Sequence, residues 1–249
     1  MINIIVNGAN GQMGQETVKA IEQTKELQLV AKAGHQDDLA FLIRSTQADV
    51  VVDFTRPDCV YQNTRTILEQ GARAVIGTTG LTSSQLLELQ SLATQKELGA
   101  IIAPNFSVGA ILMMRFAREA AQYLPNVEII ELHHDKKRDA PSGTAIKTAE
   151  MINASRKVEG AMPDCKESIP GARGANYENI AIHSIRLPGF LAHQQVIFGG
   201  TGESLTIKHD SISRSCFMPG VILACHKVMT LKNLVYGLED ILFANQSLQ

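Results

Sequence analysis

The order of elements in this 249-residue chain predicts an α/β protein: a Rossmann-like dinucleotide-binding domain followed by an α+β domain with a mixed, largely antiparallel sheet. Three observations carry that prediction. Over the first hundred residues, short apolar runs rich in Val and Ile alternate with longer amphipathic stretches, the rhythm of a parallel sheet covered on both faces. The first such run leads at once into a glycine-rich turn, VNGANGQMGQE (residues 6–16). After Pro104 the rhythm changes to strands of alternating polar and apolar residues, which leave one face open to water or to a partner.

Taken in order, residues 2–6, 27–33, 50–53, 72–76 and 100–102 read as strands, with helices near 12–24, 36–46, 57–70 and 82–97 between them. A helix with Ile111, Leu112, Met114, Ala117 and Ala121 on its apolar side runs to Tyr123, and Pro125 ends it. A strand over 127–133 follows, then a loop and a helix opening near Ser142. Residues 156–178 are rich in Gly, Pro and charge without periodicity, and read as a long excursion. Strands at 180–187, 193–198 and 204–209 come next, and 217–230 and 234–243 read as helical. The expected domains are 1–105 completed by 213–249, and 106–212 for substrate binding and oligomerisation. Where the chain crosses between them, near 104–107 and 211–214, hinges are expected that let the domains close over ligands.

Composition narrows the function classes. Charged residues make up 19% and the formal charge is −2, so no overall basic field draws the chain to nucleic acid or anionic lipid. Trp is absent and Tyr numbers four, which leaves few platforms for stacking bases. The apolar N-terminal run breaks at Asn7–Gly8, too early for a secretory leader, and no apolar stretch approaches a membrane span. Four cysteines lack C-x-x-C spacing or any disulfide framework, which reads as reduced thiols in a cytoplasm. The expected partner is therefore a small molecule, not a nucleic acid or a membrane.

The glycine turn explains what that molecule meets first. In a dinucleotide site one glycine makes the tight turn, a second lets the backbone approach the pyrophosphate, and a third lets helix and strand pack closely. Gly8 and Gly11 suit the first two tasks, with Gly14 third; Asn10 stands where a middle glycine is usual, and tolerates positive φ better than most residues. The helix opening near Gln12 then offers free N–H groups to a diphosphate. VVDFT (51–55), VIGTTG (75–80) and APNFSVG (103–109) likewise put polar residues or glycine just past a buried strand, where open α/β sheets bind ligands.

The densest polar chemistry is ELHHDKKRDAPSGTA, residues 131–145. Strand alternation would send His133 and His134 to opposite faces, so only one points readily into a given cleft. Lys137 adds a cation, Ser142 a helix cap, and the N–H groups of Gly143 and Thr144 a cradle for a carboxylate. A charged, solvated loop is the plain alternative; metal binding is not expected, because no third ligand stands at a recognisable spacing.

This segment resembles the signature E-x-H-H-x-x-K-x-D-A-P-S-G-T-A of the 4-hydroxy-tetrahydrodipicolinate (dihydrodipicolinate) reductases of lysine and diaminopimelate biosynthesis, without a miss. Gly8–Gly14, VVDFTRPD, Gly77–Gly80 and Ala103–Gly109 are similar to that family in order and approximate spacing, so the likeness spans nearly the whole chain. The resemblance implies nicotinamide-dependent reduction of an unsaturated six-membered ring bearing two carboxylates, by a homotetramer. It implies that His133 is the acid for the accompanying proton, that Lys137 binds substrate and assists, and that His134, Gly143 and Thr144 line the substrate pocket. It implies a diphosphate loop at Gly8, Gly11, Gln12, Met13 and Gly14, nicotinamide neighbours at Gly77, Thr78 and Thr79, and junction residues Ala103, Asn105 and Phe106. Gly34 departs from the pattern, standing where many relatives carry the acid that holds the adenosine ribose. His35, Gln36 and Lys32 nearby can donate to a 2′-phosphate, so NADPH is expected to be preferred with NADH accepted.

Two other classes remain at this stage: a cysteine-dependent semialdehyde dehydrogenase, for which Cys59 and Cys165 lack a histidine base in sequence, and a non-catalytic NAD(P)-binding redox sensor, which has no use for a proton donor beside a carboxylate cradle.

Overall fold

The computed structural model describes residues 1–158, 160 and 165–243. Two compact units make it up: the described residues of Met1–Val108 with Phe217–Gln249, and Gly109–Cys216.

The first unit is built on strands β1 (Ile2–Asn7), β2 (Leu27–Ala33), β3 (Val50–Asp53), β4 (Arg73–Ile76) and β5 (Ala100–Ile102). Helices α1 (Gln12–Glu22), α2 (Leu39–Thr46), α3 (Val60–Glu69) and α4 (Ser83–Gln95) connect them. All pairings are parallel, as continuous runs such as Val50–Val51–Val52, fully buried, require. On one face Ile5, Val51, Ala74, Ile76 and Ile102 pack against Ile43 of α2, Val60, Ile67 and Leu68 of α3, and Leu89 and Ala93 of α4. Each of the Val, Leu and Ile side chains contributes roughly 1.5–3 kcal/mol when fully buried. Thr82 opens α4 with a complete capping box to Gln85.

The C-terminal part corrects one expectation. Residues 217–230 are helical, with α7 (Met218–Lys227) between short 3-10 turns at Arg214–Phe217 and Val228–Thr230. The stretch expected to be helical from 234 instead begins with strand β11 (Leu234–Tyr236), followed by the five-residue α8 (Glu239–Phe243). β11 pairs in parallel with β5 and makes the sheet six-stranded, in the order β11-β5-β4-β3-β1-β2. Leu-Val-Tyr is too short to carry a period, and the exposed edge of β5 decided its state.

The second unit opens with α5 (Val108–Ala120), followed by strand β6 (Asn126–His133) and helix α6 (Gly143–Ser155). A five-stranded sheet, β10-β9-β6-β8-β7, follows from β7 (Ala175–Tyr177), β8 (Ile180–Arg186), β9 (Ala192–Gly200) and β10 (Glu203–Ser211). β6 and β8 run parallel, while the other pairs are antiparallel, so the sheet is mixed. β7 is a second correction, lying inside the expected structureless excursion, of which residues 159 and 161–164 fall outside the described residues. Glu178 and Asn179, with φ of 47° and 62°, form a two-residue turn that folds β7 onto β8. Two successive left-handed residues are the requirement of a type I′ hairpin, and Asn is one of the few side chains that accept it.

Alternation gives this sheet two different faces. Val127, Ile129 and Glu131 of β6 and Gln194, Val196 and Phe198 of β9 are buried, and a hydrogen bond from Gln194 Nε2 to Thr148 Oγ1 of α6 (2.8 Å) identifies α6 as their cover. Ile130, Leu132, Gln195 and Ile197 point the other way and are only half-buried in the isolated chain.

Candidate functional site

At the C-terminal edge of the parallel sheet, the predicted cofactor residues fall after β1, β2, β4 and β5, with the end of β3 between them. Gly8 has φ of +81°, and a Cβ there would lie 2.4 Å from the Phe54 carbonyl oxygen. A Cβ on Gly14 would lie 2.1 Å from the Gly8 oxygen, so only glycine lets α1 pack this closely on its own loop. Asn10 does not take up positive φ; the left-handed residue of this turn is Gly8 alone. The tight turn is complete before Asn10, which explains why a side chain is tolerated there. Gly11 is the helix N-cap and brings no side-chain acceptor, leaving the first-turn amides of Gln12 and Met13 without a capping partner. Such a turn fits a diphosphate.

A buried carboxylate and an aromatic ring hold these ends together, and neither was singled out from sequence. Asp53, fully buried at the end of β3, accepts hydrogen bonds from Asn7 Nδ2 (2.8 Å), Asn63 Nδ2 (2.9 Å), Thr55 Oγ1 (2.7 Å), Thr55 N (3.1 Å) and Thr78 Oγ1 (2.9 Å). It therefore ties β1, α3 and the loop after β4 to one point. The Thr78 hydroxyl donates its proton to that network. Phe54 fills the space beside Gly77, where a Cβ would meet its ring at 2.0 Å, and packs edge-on against Phe106 with centroids 5.9 Å apart. Phe106 and Ala103 are themselves buried, and Asn105 Oδ1 accepts Ser107 N–H at 2.8 Å. Gly77, Thr78 and Thr79 occupy the loop after β4 and Ala103, Asn105 and Phe106 the turn after β5. The acid at the end of an apolar strand, VVVD, was the available signal for Asp53; its partners come from residues up to 46 positions away.

At the end of β2, His35 is exposed. Asp37 folds back so that its Oδ2 accepts the Gly34 N–H (2.8 Å), while Asp38 caps α2 through Phe41 N (3.0 Å). Lys32 pairs with Glu22 at 3.4 Å.

The second unit gathers the signature segment around one carboxylate. Glu131, fully buried near the end of β6, lies 2.5 Å from Nδ1 of His133. Its two oxygens also accept the fork of Arg186, at 2.8 Å from Nη1 and 2.7 Å from Nη2, and Oε1 accepts the Ser142 N–H at 3.2 Å. Burial by itself would raise this carboxyl, but the hydrogen bonds from His133, Arg186 and Ser184 outweigh it and hold the group down at about 2. Its ionic contribution is thus complete above the ordinary value of 4.5 and is lost only as pH falls toward 2.

Ser142 caps α6 by accepting Ala145 N–H (3.2 Å), which leaves the amides of Gly143 and Thr144 without that partner. A Cβ on Gly143 would meet nothing within 4 Å, so the start of α6 is open on that side. Lys137 is partly buried and its ammonium grips both oxygens of Asp139 (2.8 and 2.7 Å). β6 ends at His133, so His134 lies in the following loop and strand alternation does not govern its direction. Among the described residues no group of three His, Cys, Asp or Glu is arranged to hold a metal. Of the cysteines, burial pushes Cys225 up to about 12, a poor nucleophile, and Cys165 is exposed.

The comparisons with known proteins agree across the chain. Residues 2–106 match the family model "Dihydrodipicolinate reductase, N-terminus", and residues 109–242 match "Dihydrodipicolinate reductase, C-terminus". The chain is 56% identical over 239 residues to a 4-hydroxy-tetrahydrodipicolinate reductase of Legionella pneumophila (strain Paris), covering 96% of this chain and 98% of the relative. It is 55% identical over 244 residues to that of Coxiella burnetii (strain RSA 493 / Nine Mile phase I), covering 97% and 99%. A dipicolinate-bound dihydrodipicolinate reductase from Paenisporosarcina sp. TG-14 superposes with a TM-score of 0.89 at 46% identity, covering 97% of this chain and 99% of that one. The chain therefore belongs to the dihydrodipicolinate reductase family.

Proposed function

We propose that the chain is an NAD(P)H-dependent reductase that converts 4-hydroxy-tetrahydrodipicolinate to tetrahydrodipicolinate. The observation that carries this reading is the join, within one segment, of a histidine held by a buried carboxylate to a carboxylate cradle at the start of α6. The glycine turn, open at its helix N-terminus, fits a dinucleotide, held by Gly8, Gly11, Gln12, Met13 and Gly14 with Gly77, Thr79, Ala103 and Asn105 alongside. When bound, the reduced nicotinamide supplies the hydride. His133, whose Nδ1 is engaged by Glu131, holds the proton for the ring on its other nitrogen. Gly143 and Thr144 N–H groups orient one substrate carboxylate, and Lys137, released from Asp139, pairs with the dianion beside His134. NADPH oxidation followed in the presence of freshly generated substrate, supplied by the preceding synthase, tests the whole reading. Binding of NADPH without turnover would leave a sensor in its place.

Lys137→Ala is expected to raise KM about tenfold or more and to lower kcat as well, since a buried substrate charge would lose its partner. Unchanged steady-state constants would remove Lys137 from the site.

Both cofactors are proposed to work, with NADPH preferred by no more than about tenfold, on the order of 1.4 kcal/mol. Exposed His35 supports phosphate binding; Asp37, drawn to the end of β2 by the Gly34 N–H, limits the preference because it faces a 2′-phosphate with like charge. His35→Ala should weaken NADPH more than NADH in fluorescence titrations. Equal losses would show that His35 does not read the phosphate.

A homotetramer is proposed through the half-buried face of the second sheet. Ile130, Leu132 and Ile197 form an apolar surface there that symmetric pairing of sheets would cover. Sedimentation should give roughly four times the 27.1 kDa chain, and Ile130→Arg should lower it; a native particle of single-chain mass would defeat this. A cytoplasmic location accords with the four free cysteines.

A further inference from the structure

We infer that Glu131 is a positioning residue for His133, and that Arg186 is the counter-charge that sets how strongly Glu131 holds it. This rests on the reductase reading above. A carboxylate 2.5 Å from Nδ1 keeps the proton of the imidazole on that nitrogen, so that Nε2 is the atom presented to a ligand. Glu131 can do this only if its own charge is tolerated in full burial, and Arg186 supplies that tolerance through its two-toothed contact.

The same arrangement couples the acid to the rest of the site. Arg186 Nη2 also donates to the Asp139 carbonyl (2.7 Å), and Asp139 is the residue that grips Lys137. Glu131 Oε1 in turn accepts the Ser142 N–H at the base of the substrate cradle. One buried carboxylate therefore meets the proton donor, the helix cap and the guanidinium that anchors the lysine loop. The surrounding elements add few other charges. From β8 come Arg186 and the neutral Ser184, from the loop Lys137 and Asp139, from the start of α6 the Ser142 cap, and from β9 the neutral Gln194 opposite Glu131 in register.

The two partners pull in opposite directions on the imidazolium, which makes the inference separable from a merely structural role. Glu131→Gln keeps the shape and removes the charge. It should lower kcat about 10–100-fold with a smaller change in KM, and move the alkaline limb of the kcat profile to lower pH, because the protonated acid is then lost earlier. Arg186→Gln removes the guanidinium that competes with His133 for Glu131 and should move the same limb to higher pH. Glu131→Asp, which restores the charge, should return the limb toward the native position.

Long-range ¹⁵N correlation spectra of the cofactor-free protein give a readout independent of turnover. At a pH above the alkaline limb, where the ring is neutral, His133 should appear as the single Nδ1–H tautomer in the native chain and as a mixture in Glu131→Gln. A fall in kcat with an unmoved limb and an unchanged tautomer would overturn the inference and leave Glu131 structural. Should Glu131→Gln fail to fold, the direction of the limb in Arg186→Gln decides: no shift, or a shift to lower pH, overturns it. Native protein without turnover would instead sink the reductase reading, while the tautomer measurement would still stand.

Discussion

His133→Gln is expected to lower kcat by roughly 10²–10⁴, the range for removal of a general acid, or about 3–5 kcal/mol of the barrier. Gln preserves a polar side chain of similar length beside Glu131, so the loss would come from the missing proton and not from a vacated space. Dinucleotide affinity should barely move, because the glycine turn lies in the other unit, where Gly8 and Gly14 shape it. KM should change less than kcat, since Gly143, Thr144 and Lys137 still meet the carboxylates. Stopped-flow and steady-state measurements with NADPH check this. A variant with near-native turnover would remove His133 from the chemistry and leave the Glu131 contact as a structural pair.

Gly14→Ala is expected to weaken NADPH binding at least about 100-fold. Its new methyl would lie 2.1 Å from the Gly8 carbonyl oxygen and 2.8 Å from the Ala9 Cα, both backbone atoms with no side-chain end free to rotate away. Either α1 moves off β1 or the turn opens, and both displace the amides that meet the diphosphate. Overpacking of this kind also costs roughly 1–3 kcal/mol of stability, so melting should fall too. Gly143→Ala is the matched contrast, with nothing within 4 Å of its added Cβ. It should fold and bind NADPH normally while raising KM for the dicarboxylate. Equal dinucleotide affinity in Gly14→Ala and the native chain, measured by titration, would show that the turn is not the diphosphate site.

The roles of Gly14 in helix–strand packing and of Gly143 in a carboxylate cradle were legible in the sequence, but the steric contrast between them, a Cβ at 2.1 Å from the Gly8 oxygen against open space, belongs to the tertiary structure. Much else was legible in the chain. The continuous apolar runs at 50–53 and 100–102 are what strands covered on two faces must be, and the glycine turn after β1 announced a dinucleotide edge before any contact was known. The fifteen residues from Glu131 to Ala145 carried a proton donor, a cation and a capped helix start in one local stretch, so local chemistry sufficed to find the candidate site. Cofactor preference was less legible, because it hangs on how Asp37 turns back to the Gly34 amide.

The sequence by itself determined the class of the first sheet, the place of the glycine turn and the signature segment, because each depends on periodicity or on neighbours a few residues apart. Only the tertiary structure decided the rest. Leu234–Tyr236 became a strand because β5 offered an unpaired parallel edge, and Ala175–Tyr177 became one because the turn at Glu178–Asn179 brought it back onto β8. Asp53 and Phe54 became the fasteners of four strand ends through partners from distant elements. Above all, Arg186 meets Glu131 across 55 residues of chain. No local pattern encodes that meeting: it arises because β6 and β8 lie parallel and place both side chains at the same end of one buried face.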